Sequence, residues 1–270
     1  MTTAVAWMDG RWGQPDELGV PLSDRGLQLA DGLFETLLVE EGEPRLLAPH
    51  LERWRHSATL LGMEPPPGQA WLAPLIAAAV ERAGLRQGSG ALRLNWSRDG
   101  AGGRGISASS SAATRFWLTL QTIQTTHQPI TAITSQQEQR NPHSLLSRCK
   151  TFSYGQAIQA RREAEASGAN DALLRNTAGE LCCGTVANLL VQRRGQWLTP
   201  PLSSGCLPGV IRRRGLDLGR LEEASLGAAL QEGDQAVLVN SLGCRPIRSI
   251  DGQPLQLSEA GIDLWRQLSR

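Results

Sequence analysis

Lysine is nearly absent from this chain. Of 27 Lys+Arg residues, Lys150 is the single lysine and the other 26 are arginine. Arginine serves wherever a fixed positive charge is wanted, but its guanidinium keeps its proton at ordinary pH. An ammonium, with a reference pKa of about 10.4, can be lowered by burial and like charges. Only the neutral amine attacks carbonyl carbon and forms an imine. The competing explanation is one lysine surviving by chance on a solvated surface, and position alone leaves both open.

Other scarcities narrow the function further. No apolar run approaches the roughly 20 residues that a membrane-spanning helix needs. The N-terminus, MTTAVAWMDG, has neither a basic stretch nor an apolar h-region, which predicts a cytoplasmic protein. Net charge is only +1, with Arg interspersed among Asp and Glu, so there is no electrostatic case for nucleic acid or an anionic membrane as partner. Histidine is sparse and scattered, at His50, His56, His127 and His143. Five cysteines, Cys149, Cys182, Cys183, Cys206 and Cys244, are an odd number without a C-x-x-C. Adjacent Cys182 and Cys183 on a strand would point to opposite faces, which disfavours shared metal ligation. Reduced, mostly buried thiols and no metal site are expected.

What is present organises into two lobes. Ala4 to Met8, an Asp9-Gly10 turn and Arg11-Trp12 read as a hairpin, and Leu33 to Val39 as a further strand. Leu51, Trp54, Ala58 and Leu61 form an apolar stripe at helical spacing after Pro49, with Arg53 and Ser57 on its flank. A second helix runs from Ala70 to Ala83. Strands at Ala91 to Trp96 and Phe116 to Gln121 enclose a glycine-rich, cationic loop containing Arg98 and Arg104, of the sort that closes over ligands. Residues 123–130 read as a linker between a 1–122 lobe and a 131–270 lobe. In the second lobe a helix spans Ser153 to Ala166, short strands follow, a proline-glycine loop enters a helix at Val210, and a closing helix runs from Leu257 to Leu268. Mixed short strands interrupted by helices predict α+β architecture.

Pyridoxal phosphate requires an amine, an acidic partner for its pyridine nitrogen, a phosphate cradle and an orienting pocket. Lys150 offers the amine, Glu180 stands at a turn, and Val210 and Ile211 would present N–H groups at a helix start after Pro208-Gly209. Each is weak alone. Glu180 and Arg53 are equally explained as solvated side chains, and Tyr154, the only tyrosine, as core packing.

As an ordered set these residues resemble the fold-type IV pyridoxal phosphate enzymes, the class IV aminotransferase family. Leu22 to Thr36 is similar to that family's N-terminal signature and His50-Leu-Glu-Arg53 to its H-x-x-R. Lys150-Thr-Phe-Ser-Tyr154 resembles the segment opening at the cofactor-bearing lysine. Asp171-Ala-Leu-Leu, Gly179-Glu180 and Thr185-Val-Ala-Asn188 resemble the central signature; Thr199-Pro-Pro201, Leu207 to Arg212 and Asn240-Ser241 resemble the phosphate-binding stretch and its neighbouring loop. The resemblance implies a smaller N-terminal α/β lobe, a larger C-terminal mixed-sheet lobe and a cofactor site between them. It implies Arg53, Lys150, Tyr154, Glu180, Asn188, Val210, Ile211 and Ser241 as cofactor residues, with Lys150 catalytic, and it implies a homodimer.

Two subgroups compete. Asn95 to Gly105, Asn141-Pro-His143 and Val239 to Gly243 resemble the aminodeoxychorismate lyases, which form p-aminobenzoate and pyruvate from 4-amino-4-deoxychorismate in folate synthesis. Branched-chain and D-amino acid aminotransferases share the cofactor residues. A non-catalytic cofactor-binding protein is the third reading. The lyase substrate carries two carboxylates, making Arg25, Arg98 and Arg104 candidates to bind it. Three positions depart from the family: Ser153 stands where many members carry Asn, Ile211 where transaminases often have Thr, and Cys182-Cys183 is an unusual pair.

Overall fold

The computed structural model describes residues 4–99, 105–107 and 113–270. Its packing divides the chain into two units, Met1–Thr125 with Cys149–Ser153, and Thr126–Arg148 with Tyr154–Arg270. The chain therefore returns to the first unit for five residues, and those five contain Lys150.

The first unit holds β1 (Ala4–Met8), β2 (Arg11–Gly13), α1 (Arg25–Leu29), β3 (Gly32–Glu40), β4 (Glu43–Pro44), α2 (Leu47–Leu60), α3 (Gln69–Arg82), β5 (Ser89–Arg98) and β6 (Thr114–Ile123). Among the described residues its strands form one antiparallel sheet in the order β2-β1-β6-β5-β3-β4. Alternation fixes the register. Leu33, Leu37, Leu92, Leu94, Leu118 and Leu120 are all fully buried, beneath α2 and α3. Trp54 of α2 fits into this core against Trp96 and Phe116, with ring centroids 6.5 and 6.3 Å away. The opposite face carries Phe34, Arg93, Asn95 and Trp117, brought into line by the pairings Phe34 with Asn95 and Asn95 with Trp117.

The second unit contains β7 (Ile130–Arg140), α4 (Gly155–Ala166), β8 (Asp171–Asn176), β9 (Leu181–Gly184), β10 (Asn188–Arg193), β11 (Gln196–Thr199), α5 (Val210–Asp217), β12 (Glu222–Glu223), β13 (Gln235–Asn240), β14 (Gly243–Ile250), β15 (Gln253–Pro254) and α6 (Glu259–Leu268). Its sheet runs β12-β11-β10-β13-β14-β7-β8-β9, with β15 on β14. Cys183 of β9 also pairs with Asn188 of β10, so the path returns on itself. Helix α4 covers β7 and β8, and α5 and α6 pack on each other and on β13.

Strands β7 and β14 fall where the sequence suggested no regular structure. β7 is rich in Gln, Thr and Ser and β14 contains Pro246, so neither shows a clean apolar alternation. The expected opposition of Cys182 and Cys183 also fails. The pairing of β8 with β9 slips between Leu174 and Arg175, and this bulge breaks the two-residue alternation. Both thiols consequently sit in one apolar cluster with Cys206, Ala160 and Ala164. All five cysteines are buried and free.

Candidate active site

The first unit presents Lys150 by docking its segment on β3. Phe34 N–H donates to Lys150 O at 2.9 Å, Phe152 N–H donates to Gly32 O at 3.0 Å, and Leu33 bridges Thr151. The docking depends on missing side-chain atoms. A Cβ on Gly32 would stand 2.3 Å from Phe152 Cε2, and one on Gly26 would stand 2.8 Å from the same atom. The amine Nζ lies 4.2 Å from the centroid of the Phe34 ring, and the Arg93 guanidinium lies 3.5 Å from that centroid. Arg93 Nε donates to Asn95 Oδ1 at 2.7 Å, which fixes it along the strand.

On the helix side of the same strand, Glu35 takes both Arg53 Nε (2.9 Å) and Arg53 Nη2 (2.5 Å), and His50 Nδ1 at 2.7 Å. All three are buried, which overturns the flank position that spacing gave Arg53 and Ser57. Helix α2 lies over β3, and a carboxylate beneath it lets a guanidinium occupy the covered face. Burial alone would push the Glu35 carboxyl up. The Arg53 charge and the His50 contacts overcome it and hold the pKa at about 2, so Glu35 is ionised. Burial pushes the His50 imidazole down against the pull of Glu35, and the charges of Arg53 and Lys150 add to the fall. A neutral His50 facing an ionised carboxylate must donate through Nδ1.

Two of the arginines expected at substrate are engaged elsewhere in this conformation. Arg98 donates to Asp31 Oδ1 and to the carbonyls of Gly62 and Leu61, tying β5 to the end of α2. Arg25 donates to Asp31 Oδ2 and to the carbonyls of Gly105, Ile106 and Ser107, clasping the base of the glycine-rich loop. Arg104 and most of that loop's tip lie outside the described residues. Sequence reasoning overlooked Arg93 and Glu35. The signal available was the alternation of Arg93 and Asn95 with Leu92 and Leu94, which places them on the face away from the core.

The second unit holds the remaining cofactor candidates. Asn176 Oδ1 accepts from the N–H groups of Ala178 and Glu180, shaping the turn, and Asn176 Nδ2 donates to Glu180 Oε2 at 3.1 Å. Ser225 Oγ donates to Glu180 Oε1 at 2.6 Å. These bonds, Ser225 first, lower the Glu180 pKa, giving a fixed, ionised carboxylate suited to a pyridinium. Helix α5 starts at Gly209 with no side-chain cap, and Val210 and Ile211 bury their side chains, so backbone N–H groups form that helix end. A Cβ on Gly209 would stand 1.9 Å from Asn188 Oδ1, while Asn188 Nδ2 holds Leu207 O at 2.9 Å. Asn188 thus shapes the loop ahead of α5. Ser241 lies in the turn between β13 and β14, and Tyr154 precedes α4. A lone amine in the first unit, and a carboxylate held ionised and an uncapped helix start in the second, are the kinds of group that pyridoxal phosphate needs, and the missing Cβ of Gly209 makes room for the Asn188 side chain beside that helix start.

Comparison with known proteins agrees. The model of the family "Amino-transferase class IV" matches residues 32–250. A Schizosaccharomyces pombe protein provisionally named aminodeoxychorismate lyase is 31% identical over 216 residues, covering 77% of this chain and 85% of that protein. A bifunctional aminodeoxychorismate lyase / D-amino acid transaminase of Mycobacterium tuberculosis is 28% identical over 231 residues, covering 80% and 78%. Among solved structures, a hypothetical aminotransferase from Mycobacterium tuberculosis in its PLP-bound form superposes with a TM-score of 0.87 at 23% identity, covering 98% of both chains.

Proposed function

Because the chain belongs to the class IV amino-transferase family and is a pyridoxal phosphate enzyme of fold type IV, we propose that it is the lyase that converts 4-amino-4-deoxychorismate to p-aminobenzoate and pyruvate. One observation carries the reading furthest: the 31% identity over most of the chain to a protein named for that activity. The geometry suits it, since Arg93 places a cation against the same ring as the Lys150 amine, where an anionic substrate would be held.

The roles follow from the residues. When bound, pyridoxal phosphate supplies an electron sink. Lys150 Nζ takes the proton from the substrate carbon that bears nitrogen, and later returns a proton as acid. Loss of that proton lets the enolpyruvyl oxygen depart, and the six-membered ring becomes aromatic. Glu180 holds the proton on the pyridine nitrogen. Arg53, Asn188, Ser241 and the N–H groups of Val210 and Ile211 anchor the phosphate end, and Tyr154 lies against the cofactor. Arg93 joins Arg104 as carboxylate ligand, while Arg25 and Arg98 serve by holding the glycine-rich loop and β5.

A transaminase is the second reading, favoured by the similarity to a bifunctional relative. The test is p-aminobenzoate release from purified holoenzyme with no 2-oxo acid added. Release over many turnovers supports the lyase. Turnover seen only with an amino donor and a 2-oxo acid acceptor would reject it.

A further inference from the structure

The closing helix grips the hairpin that carries Ser241 with a hydrogen bond as well as with apolar packing. Trp265 of α6 is buried and donates its indole Nε1 to Asn240 O at 2.8 Å. Asn240 in turn shapes the β13–β14 turn. Its Oδ1 accepts from Leu242 N–H at 2.9 Å, and its Nδ2 donates to Val186 O at 3.4 Å. On the far side of the turn, His127 Nδ1 lies 3.1 Å from Cys244 O. A carbonyl only accepts, so that nitrogen carries the proton. The His127 and Trp265 rings meet edge to face, with centroids 5.3 Å apart. One ring pair therefore holds a carbonyl on each strand of the hairpin.

The same helix is fixed against α5. Leu268 shares the buried face of α6 with Trp265, and a Cβ on Gly215 of α5 would stand 3.2 Å from Leu268 Cδ1. Near the start of α6, a Cβ on Gly261 would stand 2.6 Å from Val237 Cγ1 of β13. Two missing side chains thus let α6 lie close to α5 and to the strand that ends at Asn240.

We propose that Trp265 is a positioning residue for the cofactor's phosphate end: through Asn240 it sets the Ser241 turn relative to the start of α5. Burial of α6 explains Leu264 and Leu268, which fill space. It does not explain the partner of the indole N–H, a carbonyl at the edge of the turn rather than one within α6. Trp265 takes no part in the chemistry. Its effect is on where the turn's backbone and the Ser241 side chain stand, and groups of that kind tune a site by locking the groups that touch the ligand. This role deepens the reading of Ser241, Val210 and Ile211 as phosphate anchors and rests on it.

The test strips the full-length holoenzyme of cofactor and titrates it separately with pyridoxal phosphate and with pyridoxal, which lacks the phosphate. Trp265→Phe keeps a ring against His127 and removes the donor. Its affinity for pyridoxal phosphate should fall about fivefold, the worth of one hydrogen bond, while its affinity for pyridoxal stays at the parent value. His127→Gln keeps a donor for Cys244 O, loses the ring contact and disturbs less of the core. It should lower the ratio of the two affinities by about twofold. Leu264→Val trims apolar packing on the same helix, and should lower Tm with the ratio unchanged.

Equal losses for both ligands in Trp265→Phe would mean that Trp265 serves the fold alone, and would overturn the proposal. So would an unchanged pyridoxal phosphate affinity, or a Leu264→Val variant that lowers the ratio as much as Trp265→Phe. If Trp265→Phe does not fold, His127→Gln decides, and an unchanged ratio there counts against the brace. Ser241→Ala tests the anchor itself. No loss of pyridoxal phosphate affinity in that variant would contradict the anchor reading, whereas a loss there without one in Trp265→Phe would remove the brace and leave the anchor standing.

Discussion

Lys150 is irreplaceable in this account because it must both join the cofactor and move a proton, and Arg can do neither. Lys150→Ala and Lys150→Arg should each lower kcat by about 10³-fold or more, measured as p-aminobenzoate release. Measurable turnover by the Arg variant would count against the mechanism. Glu35 matters for a different reason, as the anion that makes a buried Arg53 tolerable. Glu35→Gln should destabilise the protein by roughly 3–5 kcal/mol in denaturant titrations, since it strands a buried charge. The same residues set an acid limit. The folded pKa of Glu35 is depressed from 4.5 to about 2, so its stabilisation is present above 4.5 and lost as pH falls towards 2. His50 is likewise lowered from 6.5, so the unfolded chain binds its proton first and stability declines as pH drops below 6.5. Thermal melts should show a falling Tm from about pH 6.5 downward. His50→Asn should flatten the part of that slope nearest pH 6.5, and an unchanged slope would contradict a neutral, buried His50.

At the scale of elements, two glycines decide where the chemistry sits. Gly32→Ala drives a methyl into Phe152 and should displace the Lys150 segment, at about 1–3 kcal/mol of stability. Gly209→Ala collides with Asn188 and should weaken pyridoxal phosphate binding about tenfold. Adding Asn188→Ala should recover part of that loss, read by cofactor titration. Most strands and helices were legible because leucine alternation in β3, β5 and β6 and helical spacing in α2 are strong periodic signals. β7 and β14 were not, since their inward positions include Thr134, Ser135 and Pro246 rather than a run of large apolar residues. The return of 149–153 to the first sheet was also invisible. It rests on backbone bonds and on the absence of Cβ at Gly32, neither of which has a local pattern. The motif residues of the site were readable only as a set, and Arg93 escaped because a lone Arg in a strand looks solvated.

For the whole molecule, no helix among the described residues is long and apolar enough to cross a membrane. The family resemblance implies a homodimer. Sedimentation should give twice the 29.1 kDa chain mass, and a monomer active at assay concentration would contradict a homodimer. The most direct measurement of the central claim is borohydride trapping of the holoenzyme followed by peptide sequencing. With a single ε-amino group in the chain, only the α-amino terminus competes for the label. One reduced cofactor adduct is expected, on the peptide containing Lys150. No adduct, or an adduct on the N-terminal peptide, would contradict it.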